Sequence, residues 1–206
     1  MAVRRGLPSP ATARADADRW ACQLLRTDRP VPRLEVLIGD RREKGSPGPD
    51  RRTDHSGDPL YLYFLALPEP DTFVPGDIAG HANLESWILR RTFLLDVSSP
   101  AAEPARWLQI VMMNVVPAAE HEFDDWYEQE HATRIAAAAP AFSAVSRFRA
   151  VAGNPQHLAL WRLTDPTAPE RDPWLAASET PWTQRIRRFM RDRRRLVFTP
   201  LPDHAV

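Results

Sequence analysis

Apolar and polar residues follow two different periods along the second half of this chain, and the changes of period mark its elements. Gln109–Val116 (QIVMMNVV) carries no charge, which predicts a strand covered on both faces. Pro117 ends it, and Ala118 to about Ala139 reads as a helix that closes at Pro140. Glu120, Glu122, Asp124 and Asp125 crowd the start of that helix, where carboxylates complement the helix dipole. Phe142–Val151 and His157–Leu163 read as strands joined by a Gly153-Asn154-Pro155 turn, hence a hairpin. Pro173 to Asp192 reads as a second helix, and Arg195–Thr199 as a short last strand. The order is β-α-β-β-α-β, the split-βαβ or ferredoxin-like pattern.

The first half echoes this order at a spacing of roughly 100 residues, as an internal repeat does. Asp16–Arg26 around Trp20 is read as a helix, Arg33–Gly39 and Leu60–Leu67 as strands, His81–Arg91 as a second helix and Thr92–Val97 as a strand. The first strand of this half is missing or eroded, with only Ala2–Leu7 left to supply it. The expected architecture is therefore α+β: two tandem ferredoxin-like units, the first degenerate, whose sheets close into one barrel-like core. The division is a disordered tail over residues 1–15, a degenerate half over 16–100 and an α/β-barrel half over 101–206. If the first half does not supply the second sheet, a second copy of the chain must, as a homodimer. Residues 40–59 and 68–80, rich in Gly, Pro and Asp, read as loops.

Charge and composition narrow the partners. Lys+Arg and Asp+Glu both number 27, so no net field points to nucleic acid or to an anionic membrane surface. Lys44 is the only lysine, and the Arg, Ala, Pro and Asp bias suggests a GC-rich bacterial genome. A single cysteine, Cys22, rules out an internal disulfide and a cysteine-cluster metal site. No apolar run is long enough to span a bilayer, and the N-terminus lacks the apolar region of a secretion signal, so a cytoplasmic location is expected. The six histidines (His55, His81, His121, His131, His157 and His204) show no zinc spacing, and no phosphate-binding or nucleophile-elbow motif occurs. No metal and no cofactor is expected, although a heme held by one histidine leaves no spacing to read.

Candidate chemistry gathers on the first predicted helix. Phe123, Tyr127 and His131 stand at i, i+4 and i+8, with Trp126, Glu130 and Arg134 beside them. His131 thus lies on or next to the covered stripe, one turn before alanines 136–139, whose small volume leaves room for a ligand or for close packing. An imidazole there can exchange a proton near neutrality, with Tyr127 or Glu130 to orient it. Asn114 interrupts the apolar strand on the face of Met112, either to bind a substrate carbonyl or to cap a strand end. Arg147 and Arg149 share a strand face, suited to an anionic ligand or to ion pairs. Trp161, Trp174 and Trp182 with Phe189 offer flat apolar walls or simply core, and Tyr61 and Tyr63 could extend that wall. The seven arginines between Arg185 and Arg195 are read as the solvated face of the second helix.

The segment from Trp107 to Leu163 resembles the EthD-like and polyketide-cyclase-like members of the dimeric α/β-barrel superfamily. The resemblance is carried by Trp126-Tyr127 followed by His131, by Pro140 and Phe142, by Arg147-Phe148, and by Leu158–Leu163, with Thr180-Pro181-Trp182 and Leu196–Pro200 in the tail. It implies the barrel fold, with His131 at the mouth of a pocket. It also implies a small-molecule enzyme of bacterial secondary metabolism that cyclises or isomerises an aromatic or polyketide-like substrate without a cofactor. His131 would be the general acid/base, Tyr127 and Glu130 would assist it, and Asn114, Met112, Trp126, Arg147, Trp161 and Trp182 would contact a small hydrophobic molecule. A cofactor-free monooxygenase and a non-catalytic ligand-binding accessory protein are the alternatives within the same fold.

Overall fold

The computed structural model describes residues 19–26, 36–40, 60–66, 83–98 and 105–200. Eight strands run through them: β1 Arg19–Arg26, β2 Val36–Asp40, β3 Leu60–Ala66, β4 Asn83–Asp96, β5 Trp107–Val115, β6 Phe142–Ala152, β7 His157–Leu163 and β8 Met190–Pro200. They close into a barrel in the order β1-β3-β2-β8-β5-β7-β6-β4, every neighbouring pair antiparallel. The second half contributes β8-β5-β7-β6 and the first half β4-β1-β3-β2. Each is the fourth-first-third-second order of a ferredoxin-like sheet. The halves join where β2 meets β8 and where β4 meets β6, so both sheets of the barrel come from one chain.

The first half corrects two sequence readings. Residues 19–26, expected as helix, form β1, which supplies the first strand that the pattern of this half lacks. Residues 83–96, expected as a helix followed by a strand, form the single strand β4. Both segments are rich in Leu and Arg, which favour helices in isolation. Their placement is set instead by pairing on both sides, β1 between β3 and β4, and β4 between β1 and β6. Residues 1–15, Ala2–Leu7, His81, the loop readings beyond Asp40 and over 68–80, and the side chains of Tyr61 and Tyr63 lie outside the described residues.

Alternation along the strands sorts side chains into two layers. On β5, Ile110 and Met112 point into the barrel, where they meet Cys22, Trp87, Leu158 and Phe198. Val111, Met113 and Val115 point out, towards the helices. Large buried side chains such as Trp87 and Phe198 occupy the interior, as in other small eight-stranded barrels. Gly153, in the β6–β7 turn, has φ +105°, and a Cβ there would stand 2.5 Å from Cδ1 of Trp87, so glycine is required on two counts.

The helices cover the outer face of the second sheet. A short 3-10 turn (Pro117–Ala119) leads into α1 (Glu120–Trp126), a π turn (Tyr127–His131) and α2 (Ala132–Ala138), together one helix where one was predicted. The second helix is shorter than predicted. It consists of α3 (Trp174–Ser178) and α4 (Pro181–Ile186) with a 3-10 turn (Arg187–Phe189), and β8 begins at Met190, five residues before the predicted strand. Pro181 and the Thr180 hydroxyl, which accepts from the Thr183 backbone N–H at 3.0 Å, start α4 afresh. No described helix is long and apolar enough to cross a membrane.

Candidate functional site

The π turn determines where His131 points. A π turn closes i→i+5 hydrogen bonds, here from the Ala132 N–H to the Tyr127 carbonyl. Residues five apart, which diverge on an α-helix, are then brought nearly one above the other. Trp126 and His131 stack as a result, ring centroids 4.4 Å apart and planes 25° apart. Tyr127 meets the same imidazole edge-on at 5.1 Å, and Trp161, rising from β7, does so at 5.7 Å. Three of the predicted site residues thus box in the fourth.

Hydrogen bonds fix the box. The Trp126 indole donates to the Thr183 hydroxyl at 3.1 Å. The Thr180 hydroxyl is within hydrogen-bond distance of both Thr183 and the Glu130 carboxylate. Glu130 therefore holds the start of α4 and, through it, the indole of Trp126. His131 is partly exposed as a residue, yet its Nδ1 is sealed from solvent and has no hydrogen-bond partner, so neither Glu130 nor Tyr127 orients the ring through that atom.

The surrounding charge is positive. Burial, and then the guanidinium groups of Arg187, Arg193, Arg195 and Arg147, hold the His131 pKa down to about 3. Its imidazole is neutral at pH 7. Burial likewise raises the Tyr127 phenol above its ordinary range, keeping it protonated, although Arg147, a hydrogen bond with Trp161, Arg195 and Arg193 pull the other way.

Arg193 and Arg195 are the residues that the sequence reading missed. Counted with the arginine run of the second helix, they are expected on its solvated face, although Arg195 also opens the predicted last strand; both stand on β8. Leu196 and Phe198 face the barrel, so by alternation Arg193 and Arg195 face the helix layer. The signal was present in the pattern Arg193-Arg194-Arg195-Leu196-Val197-Phe198, read with period two. Asp192, with φ +52°, kinks the strand just before them.

The remaining predicted residues lie elsewhere. Asn114 donates to Asp192 at 2.9 Å and accepts from the Gln156 N–H at 2.9 Å, so it ties the β8 kink to the β6–β7 turn, as the strand-end reading allowed. Met112 is buried inside the barrel, on the other side of the sheet from His131. Arg147, 3% exposed, is paired to Asp124 and to Glu128, the latter at 3.2 Å, and lies over the rings of Phe123 and Tyr127. Arg149 is paired to Glu120 at 2.6 Å and lies 2.8 Å from Nε2 of His157. Glu120, Asp124 and Glu128, spaced four apart, thus clamp the helix onto the sheet arginines. Trp182 donates to Glu122 at 3.0 Å. Trp174 packs on Trp161 at 5.1 Å as core.

Among the described residues, no cluster of three or more His, Cys, Asp or Glu side chains could hold a metal ion. An open groove of about 390 Å³ runs between α2 and α3, lined by Arg134, Ala137, Ala138, Pro173, Ala176 and Ala177. The alanines expected to leave space do so there, and His131 does not line that groove.

No family model and no curated protein matches the sequence. Solved structures do match the fold. An anthrone oxidase-like protein superposes with a TM-score of 0.53 at 10% identity, over 91% of this chain and 93% of its own. A major regulator of staphylococcal pathogenesis gives 0.51 at 6%, over 89% and 99%. A candidate monooxygenase from Fusobacterium nucleatum gives 0.51 at 9%, over 89% and 92%. Likenesses at such low identity establish architecture alone: this chain has the α+β, ferredoxin-like fold of the dimeric α/β-barrel kind, with both sheets carried on one polypeptide.

Proposed function

We propose that the layer between the helices and the second sheet holds a small aromatic molecule with an acidic C–H or O–H, and that His131 takes that proton. The observation that carries this reading is the sealed, unpartnered Nδ1 of His131 inside a box of three aromatic rings. A neutral imidazole can accept a proton, and the arginines that oppose the resulting imidazolium also stabilise the enolate or phenolate left behind. The proton moves to the imidazole and the electron pair stays on the substrate as an oxyanion.

From that intermediate three outcomes share one first step. The proton can return at another carbon, an isomerisation. The enolate carbon can attack a carbonyl of the same molecule, a cyclisation. Dioxygen can react at the carbon, with one of its atoms retained and the other leaving as water. The EthD-like and polyketide-cyclase-like resemblance supports the first two. The descriptions of two fold neighbours, as anthrone oxidase-like and as a candidate monooxygenase, support the third.

Anthrone, an aromatic ketone with an acidic methylene, tests the shared step. In deuterium oxide without dioxygen, the protein is expected to speed exchange at that methylene above the buffer rate, and His131→Phe to abolish the gain. Exchange at the buffer rate, as a carrier without chemistry would give, or a gain that survives His131→Phe, overturns the proposal.

A further inference from the structure

The carboxylates of this layer are already matched to arginines, with one consequence for the ligand. Arg147 is met by Asp124 and Glu128, and Arg149 by Glu120. No carboxylate bonds Arg195 among the described residues. Its Nε–H is buried and unpartnered, and the other such side-chain atom among the described residues is Nδ1 of His131. Both residues face the layer that holds Tyr127: His131 touches its ring, and Arg195, paired with Val111 of β5, stands on the helix-facing side of the sheet. Buried donors are nearly always satisfied, so a sealed Nε–H without an acceptor is costly. The unsatisfied Nε–H of Arg195 makes a place for an oxygen that bears negative charge, and the Nδ1 lone pair of His131 a place for the substrate's proton.

We infer that the molecule bound beside His131 is an aromatic anion, a carboxylate or phenolate, and that Arg195 selects it through its buried Nε–H. This deepens the proposed function and rests on the same site. The Tyr127, Trp126 and Trp161 rings would contact the flat apolar body, and the guanidinium would meet the oxyanion, where a charge-assisted hydrogen bond is stronger than a neutral one. The bound anion would also offset the field of Arg187, Arg193, Arg195 and Arg147, which adds to burial in holding the His131 pKa down. Ligand binding would thereby raise the basicity of the imidazole.

The test compares 2-naphthoate with its neutral isostere 2-naphthamide, by calorimetry and by the NMR resonances of the His131 ring. Native protein is expected to bind the naphthoate more tightly by about ten-fold or more, and to shift the His131 resonances towards the protonated form. Arg195→Met is expected to bring the two affinities together, leaving that of the amide nearly unchanged, and Arg195→Lys to keep part of the preference. Equal affinities in the native protein, or a preference that survives Arg195→Met, overturn the inference. If both probes move His131 equally, the site stands and its selectivity for anions does not. If neither moves it, the site itself is lost. Should Arg195→Met fail to fold, the ratio in native protein and in Arg195→Lys still decides.

Discussion

Trp126 and His131 stack at 4.4 Å across a step of five residues, a register that the π turn over Tyr127–His131 provides. The stack is a packing contact with no hydrogen bond through Nδ1 of the imidazole. Phenylalanine at position 131 keeps a flat ring there and removes an unsatisfied polar atom. His131→Phe is therefore expected to leave stability within about 1 kcal/mol of native, or to raise it. Trp126→Ala, by contrast, removes a buried ring and its bond to Thr183, and is expected to cost about 3–5 kcal/mol. Urea unfolding of both variants measures the difference.

Acid stability follows from two histidines. His131 is held down to about 3, and His157 to about 4 by burial first and then by Arg149 and Arg147. The Arg149 guanidinium lies 2.8 Å from Nε2 of His157 and needs the lone pair there, so the proton of the neutral ring sits on Nδ1. Above the ordinary histidine pKa of 6.5, both rings are neutral folded or unfolded and contribute no pH dependence. Below it the unfolded chain takes up protons that the fold refuses. Stability should therefore fall as pH drops from 6.5 towards 4, each histidine adding a slope of up to about 1.4 kcal/mol per pH unit. Unfolding free energies at pH 7.5, 6 and 5 should show a shallower slope for His131→Phe than for native protein.

Glu85 and Arg194 form a bidentate pair between β4 of the first half and β8 of the second, beside the sulfur of Met112. Each side chain is about one-third exposed (34% and 31%), so solvent weakens the pair without removing it. A double-mutant cycle with Glu85→Gln and Arg194→Met is expected to give a coupling of about 1 kcal/mol, and each single variant to lower the unfolding midpoint. A coupling near zero would mean that the two halves are joined by strand pairing and apolar packing alone.

The second half of the fold was legible because its signals were local. An uncharged run, Pro117, Pro140 and the Gly153 turn mark β5, the long helix and the β6–β7 hairpin. The first half was not, because β1 and β4 are built from residues that favour helices and become strands by pairing with distant partners. The stripe Phe123, Tyr127, His131 pointed to the site, but the π turn that stacks Trp126 on His131 has no local signature. Arg193 and Arg195 were hidden by reading the whole arginine run as a solvated face; once β8 starts at Met190, alternation assigns them to the helix side. Asn114, Met112 and Glu130 could not be placed from spacing, since their partners, Asp192, the barrel interior and Thr180, are distant in sequence.

The account depends on a neutral imidazole whose Nδ1 is sealed among aromatic rings, in the field of four arginines. A pH titration of the His131 ring resonances in ligand-free protein, assigned by their loss in His131→Phe, measures this directly. The ring is expected to stay neutral from pH 8 down to at least about pH 5, consistent with a pKa near 3. A midpoint at the ordinary histidine value of 6.5 would show an imidazole open to water and to free charge, and would contradict the site described above.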